Sequence, residues 1–219
     1  MWAKIEDASI TGLIPRPKAI NIGDVQYPHN IFGLWSVAEL EAIGIYEVTV
    51  DGTNLKDKNY YTNTDITYAY ASGAATGSYG TATAKALTDV LYTATDESNG
   101  LGTEGELKTR GLKTSHKQKI NREAYGALQD SDWLVVRAAE GGTAVPSAWT
   151  TYRAAVRTKS GDMETLIDNA ANVDALAALY VYSADVLYTA EEEAANAEHE
   201  EGTIKTQGTR PLGEWPSKP

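Results

Sequence analysis

The spacing of hydrophobic residues changes along the chain. In the first 58 residues, short apolar runs (Ala3 to Ile5, Ala19 to Ile22) alternate in the manner of strands, separated by Gly12 and the Pro15-Arg16-Pro17 breaker. A dense cluster, Ile31-Phe32-Gly33-Leu34-Trp35, follows. Ser36 and Glu39 match the S-x-x-E capping box, in which the hydroxyl caps a first-turn amide while the carboxylate reaches back. This predicts a short helix over Val37 to Ala42, with Gly44 in the left-handed position after it. Ile45 to Val50 alternates as a strand ending at Asp51-Gly52, a hairpin-type turn pair. Trp35 reads as an aromatic staple over the short helix in preference to a ligand platform.

Residues 59–85 are rich in Tyr, Thr, Ala and Gly. Ile66, Tyr68 and Tyr70 fall on one face of a strand and Thr67 and Ala69 on the other, after which Gly73, Gly77 and Gly80 are expected to break the pattern into a loop. Tyrosine suits a surface that is partly wet and partly in contact. The region therefore reads either as a contact surface for another chain or as an exposed polar hairpin.

From residue 113 the period becomes helical. Ile120, Ala124, Ala127 and Leu128 share one face of a helix over Lys113 to Gln129, with Thr114 or Ser115 as its cap and Asp130-Ser131-Asp132 as its end. Trp133 to Val136 is a short apolar run, and Glu140-Gly141-Gly142 a turn. Pro146 opens a second helix to about Thr158. Met163, Leu166, Ile167, Ala170 and Ala171 mark a third over Asp162 to Ala171, continued after a re-cap at Asn172 or Asp174 by Val173, Leu176, Ala177 and Tyr180. This predicts a small helical hairpin or three-helix unit.

A repeat flanks these helices. Asp-Val-Leu-Tyr-Thr-Ala stands at 89–94 and again at 185–190, and Glu-Gly-Glu-Leu-Lys-Thr-Arg-Gly at 104–111 is echoed by Glu-Gly-Thr-Ile-Lys-Thr-Gln-Gly at 201–208. Each copy reads as strand, turn-rich linker, strand. Two copies are too few for a solenoid, so the repeat is a duplicated β-arm. The fold class expected is α+β, in four parts: an N-terminal α+β region (1–58), a Tyr/Gly-rich β-region with the first arm (59–112), the helical unit (113–180), and the second arm with a C-terminal tail (181–219).

Composition excludes several chemistries. The chain has no cysteine, so it has neither a disulfide scaffold nor a thiolate zinc site nor a cysteine nucleophile. The net charge of −11 argues against a duplex-DNA binder, and no run approaches a membrane span, so neither nucleic acid nor a membrane is an expected partner. Residues 1–107 hold 6 basic and 14 acidic side chains, residues 108–159 hold 10 and 4, and residues 160–219 hold 3 and 12. The basic middle lacks interleaved aromatics and reads as neutralised within the fold or across subunits.

Gly100-Leu-Gly-Thr-Glu-Gly105 matches G-x-G-x-x-G, but a strand-like run follows where a dinucleotide site needs a helix. His29, His116 and His199 stand apart, and the glutamates 191–193, 198, 200 and 201 have no EF-hand spacing, so a solvated acidic linker is the simpler reading. Serines lack a nucleophile-elbow context. No cofactor is expected, and the chain reads as non-enzymatic.

Over residues 114–180 the sequence resembles the tail assembly chaperone families of tailed bacteriophages. The resemblance rests on the helix 114–129, the Asp132-Trp133 followed by an apolar pair and Arg137, the Glu140-Gly-Gly turn, and the Pro146 helix with Arg153-x-x-x-Arg157. The ending Leu212-Gly-Glu-Trp215-Pro216 is similar to the Trp-Pro tails seen there. It implies a tail protein, assembled in the host cytoplasm and located in the virion tail. The implied partners are fibre or baseplate subunits, within a symmetric homo- or hetero-oligomer. The duplicated arms suggest a component that stays bound, and the other reading is a transient fibre-assembly chaperone. Trp133 is expected to anchor the hairpin core. Arg137, Arg153 and Arg157 would offer a cationic face, or pair within the chain to Glu140 or Asp162. Candidate partner-binding residues are Trp133, Arg137, Tyr152, Arg153 and Arg157 in the helical unit, with Tyr68, Tyr70, Tyr92 and Tyr188 in the β-region and arms.

Overall fold

A computed structural model describes residues 1–195, 198 and 200–219, with only the backbone of Glu193. The fold is α+β, with a β-rich N-terminal part and a helical part flanked by the duplicated arms. The chain forms two compact units, Met1–Ala84 and Lys85–Pro219. The division falls inside the 59–112 segment: the Tyr/Gly-rich strands belong to the first unit and the first arm to the second.

In the first unit, β1 (Trp2–Glu6) and β2 (Ser9–Ile14) form an antiparallel hairpin. β2 departs from the sequence pattern, in which Gly12 reads as a breaker. Gly12 sits in mid-strand opposite Lys4, and the turn is made instead by Asp7 and Ala8, both at positive φ. A small hairpin, β3 (Ile20–Ile22) and β4 (Val25–Tyr27), is followed by α1 (Ile31–Leu34) and α2 (Val37–Ala42). The capping box at Ser36 and Glu39 is formed, and Gly44 has φ +79. β5 (Ile45–Asp51) then pairs antiparallel with β1.

Asp51-Gly52 does not make a hairpin. The Asp51 carboxylate instead accepts from the Thr53 amide at 2.9 Å, a local turn that sends the chain away from β5. β6 (Tyr61–Thr62) precedes β7 (Ile66–Ala71) and β8 (Ala74–Tyr79), a hairpin turned by Ser72 and Gly73 at positive φ. β9 (Thr83–Ala84) returns to pair with β6. The expected glycine-broken loop is thus largely a strand. Gly77 lies inside it, where a Cβ would stand 2.9 Å from Ile66 Cδ1 and 3.0 Å from Tyr68 Cε1. The missing side chain lets those two lie across β8.

β8 also pairs in parallel with β5, giving a five-stranded sheet in the order β2-β1-β5-β8-β7. Its edge strands β2 and β7 approach one another, so the sheet curls. One face buries Ile14, Ile20, Ile31, Leu40 and Ile45 with Trp2, Phe32 and Trp35 against them, and the other buries Ala3, Val48 and Ala75 with Tyr46, Tyr68 and Tyr70. Alternation sends Trp2 to one side and Ala3 to the other.

The second unit begins with the first arm: β10 (Val90–Leu91), α3 (Ala94–Ser98) and β11 (Leu107–Thr109). α4 (Leu112–Gln129) comes directly after it, its N-cap being Gly111. The expected caps Thr114 and Ser115 lie inside the helix, where the Ser115 hydroxyl donates to the Gly111 carbonyl. The apolar run at 133–136 is part of α5 (Asp132–Ala139). The two helices expected on either side of residue 160 are one, α6 (Ser147–Asn169). Gly161 does not interrupt it, because Val156, Ser160, Met163 and Ile167 continue one buried stripe through the glycine.

α7 (Val173–Ala178) is capped by Asn172, whose side chain accepts from the Ala175 amide at 2.8 Å. The second arm, β12 (Val186–Leu187), α8 (Ala190–Ala195) and β13 (Ile204–Thr206), precedes the tail. α4 packs on α6, and Lys117 reaches from one to Asp168 on the other at 2.9 Å.

The C-terminal tail is part of this core. Leu212 is 1% exposed, and its amide donates to the Leu179 carbonyl. Trp215 packs on the cluster of Ala124, Tyr152 and Val156, and its indole N–H donates to Glu123 at 3.0 Å.

Candidate partner-binding surfaces

The two arms share one bond pattern. In each, the two strands form an antiparallel pair with a register shift at the same point, between Val90 and Leu91 and between Val186 and Leu187. At the base, Asp89 accepts from the Gly111 amide at 2.7 Å and Asp185 from the Gly208 amide at 2.6 Å. At the tip, the amides of Gly105 and Gly202, both at positive φ, donate to the carbonyls of Tyr92 and Tyr188.

The linker that reads as turn-rich contains a short helix in each copy. Thr93 with Asp96 forms a capping box, and Thr189 with Glu192 makes the same exchange. Lys108 pairs with Asp96 and Lys205 with Glu192, and each ammonium lies 5.7 Å from the ring centroid of Tyr92 or Tyr188. The Lys108 ammonium and the Thr93 amide hold the Asp96 carboxyl down at about 2, and the Gly111 amide lowers Asp89. Sequence reasoning picks out Tyr92 and Tyr188 but misses the aspartate, glycine and lysine that position them. Their recurrence at equivalent places in both copies is the available signal.

In the helical unit the candidates separate. Trp133 does not anchor the core. It is 58% exposed on α5, because Leu134 takes the inward position next to it. The Arg137 guanidinium lies 4.8 Å from the Trp133 ring centroid, and its Nε donates to the Thr143 carbonyl. Val135 and Val136 are exposed on the same helix.

Arg153 and Tyr152 are instead buried. Arg153 donates to the Leu128 carbonyl at 3.0 Å and to Ser131 Oγ at 2.6 Å, and pairs with Asp132 at 2.8 Å. It therefore braces the α4–α5 turn; of the two readings open for it, pairing within the chain is the one formed, with Asp132 in place of Glu140 or Asp162. Tyr152 donates to the Ala127 carbonyl at 3.2 Å. Arg157 stays exposed beside a recess of about 200 Å³ lined also by Val135, Val145, Thr150 and Arg153. Trp133, Val136 and Arg137 thus share one face of α5, while Val135 turns to the recess beside Arg157 on its other side.

In the first unit Tyr68 and Tyr70 are half-buried on the sheet. Tyr68 packs toward Met1, and Tyr70 lies edge-on to Tyr46 with centroids 4.8 Å apart. A hydrogen bond with Tyr46 raises the Tyr70 phenol.

His116 Nδ1 lies 2.7 Å from the Tyr180 hydroxyl, and burial lowers its pKa. His199 and the side chain of Glu193 lie outside the described residues. Among the described residues no group of three or more His, Cys, Asp or Glu is arranged to hold a metal ion, and no helix is long and apolar enough to cross a membrane. Gly100, Gly102 and Gly105 lie between α3 and β11, with a strand and not a helix after them. No protein-family model, curated protein or solved structure matches the chain.

Proposed function

We propose that this chain is a non-enzymatic structural or adaptor component of a bacteriophage tail, at the baseplate or a fibre, working through protein–protein contact. The observation that carries the reading is the α5 face. Trp133 and Val136 stand in solvent, with Arg137 half-buried beside them, on a helix whose entry turn is locked by the buried Arg153. An exposed tryptophan stacked with an arginine, on a braced element, is the composition of an interface hot spot. The Asp-Trp-apolar-basic pattern that resembles the tail assembly chaperone families contributes these same side chains. Arg137 suits a partner segment that carries carboxylates.

Quantitative mass spectrometry of purified virions of the encoding phage tests the proposal. Presence in stoichiometric amount is the expected result. Abundance in infected cells with absence from particles would replace it by the transient-chaperone reading. Trp133→Ala with Arg137→Ala should deplete the chain from particles while leaving its fold unchanged.

A further inference from the structure

The guanidinium of Arg153 is used on one side only. Nη1 makes every contact that holds the α4–α5 turn: the Leu128 carbonyl at 3.0 Å, Ser131 Oγ at 2.6 Å and the Asp132 carboxylate at 2.8 Å. Nε and Nη2 form the side-on edge of the fork, and they make no hydrogen bond among the described residues. No buried side-chain nitrogen or oxygen among those residues lacks a partner, so both atoms keep contact with solvent although Arg153 is only 8% exposed. A nearly buried guanidinium thus retains one edge of free N–H donors.

The opening that Arg153 lines is the recess of about 200 Å³. Its other walls are Val135 on α5, Val145 just before α6, and Thr150 and Arg157 one turn to either side of Arg153 on α6. Arg157 shares a helix face with Arg153 and is exposed, with no ion pair or hydrogen bond among the described residues. No carboxylate lines the recess. Asp132, paired with Nη1, balances one of the two guanidiniums and leaves the charge of the other uncompensated. The remaining walls decide which anion fits. Val135 and Val145 are aliphatic, and an inorganic oxyanion such as phosphate would set oxygen against them. A glutamate side chain sets its methylenes against the valines and its two oxygens against a planar pair of N–H donors, the geometry in which arginine binds carboxylates best.

We propose that this recess is a docking site for a glutamate side chain of a partner protein, its carboxylate held side-on by Nε and Nη2 of Arg153 and flanked by Arg157. Arg153 then has two tasks, bracing the turn through Nη1 and receiving the partner through its other edge. The site lies apart from the Trp133 face, and neither that face nor a place in a phage tail is needed for it.

NMR titration of the full chain, observing the arginine Nε–H resonances, tests it. The probe is the capped peptide Ac-Ala-Glu-Ala-NH2, compared with Ac-Ala-Gln-Ala-NH2 and with inorganic phosphate. The glutamate peptide should shift the Arg153 Nε–H saturably with a Kd of about 1–10 mM. The glutamine peptide should leave it in place, and phosphate should bind more weakly. Arg157→Gln should weaken the glutamate peptide roughly three- to tenfold, and Val135→Asp, which puts a carboxylate into the wall, should abolish its binding. Both positions are exposed, so the backbone amide spectrum should show each variant folded. An Arg153 resonance unmoved by the glutamate peptide through that range would overturn the proposal. So would equal responses to the two peptides, tighter binding of phosphate, or binding indifferent to Arg157→Gln.

Discussion

The two arms are built on the same bonds but join the rest of the second unit differently. The first ends at Gly111 and runs directly into α4, whose opening amides at Leu112 and Lys113 donate to the carbonyls of Ala86 and Leu87 just before the arm. The second is closed by the mutual hydrogen bonds of Ser183 and Thr209 and runs into irregular chain that returns to the helices. In both cases the chain leaves the core and re-enters it at nearly the same place. The arm is therefore an excursion, and the segment after it decides its structural weight. After the first arm comes a helix and after the second a tail, and each supplies core residues. The duplicated segment is an interchangeable insert on a core built by the chain around it.

This difference is most sharply tested at the tail. Leu212→Ala removes a fully buried side chain and should cost about 2–5 kcal/mol in urea denaturation of the second unit. Replacing 185–208 with a short flexible linker should cost far less, since the ends are already hydrogen-bonded neighbours and closing a loop depends only weakly on its length. If arm removal is as damaging as Leu212→Ala, the arms are core and the distinction collapses.

Next comes the brace at the α4–α5 turn. Arg153→Met removes the guanidinium from the Leu128 carbonyl, the Ser131 hydroxyl and Asp132, the carbonyl keeping the Ser131 amide and hydroxyl as donors, and should lower stability by about 1–3 kcal/mol.

The base glycines test the equivalence of the two arms. A Cβ at Gly111 would collide with the backbone of Thr88, and one at Gly208 with the Ser183 carbonyl. Gly111→Ala and Gly208→Ala should each cost about 1–3 kcal/mol locally, read as lost amide protection in the arm concerned. A large effect at only one would show that the two bases are not the same structure.

The pH dependence is smaller. Asp96 is held at about 2 in the fold against about 3.9 in the unfolded chain. Its contribution is present in full above pH 4 and is lost as pH falls from about 4 towards 2. The first arm should lose amide protection over that window. His116, lowered by burial, acts in the same direction at higher pH, its stabilisation being lost as pH falls below about 6.5. The smallest effect on stability is expected at the most exposed aromatic of the helical unit's α5. Trp133→Ala should shift unfolding by no more than about 0.5 kcal/mol, whereas a core anchor would lose several times that.

The part of the structure determined by amino-acid order alone is local. The capping box at Ser36 and Glu39, the left-handed Gly44, the face shared by Ile66, Tyr68 and Tyr70, the end of α4 at Gln129 and the start of α6 after Pro146 come from side chains acting on backbone within a turn or two. The repeat was legible as well, because its spacing needs no partner to be seen. Tertiary structure decided the rest. Gly12 and Gly77 became strand residues because neighbouring strands supplied ladders and side chains that outweighed their low propensity.

Gly161 stayed helical because one buried stripe runs past it on both sides. Trp133, the expected anchor, went to solvent, and Trp215 from the tail went to the core. Which tryptophan a helix buries depends on whether a neighbouring Leu134 fills the inward position, and on where a distant tail returns. Arg153 and Arg157, four residues apart on one helix, ended as a buried brace and an exposed cation. The α4–α5 turn provides the carbonyl, hydroxyl and carboxylate that a buried guanidinium requires, and it provides them at only one of the two positions.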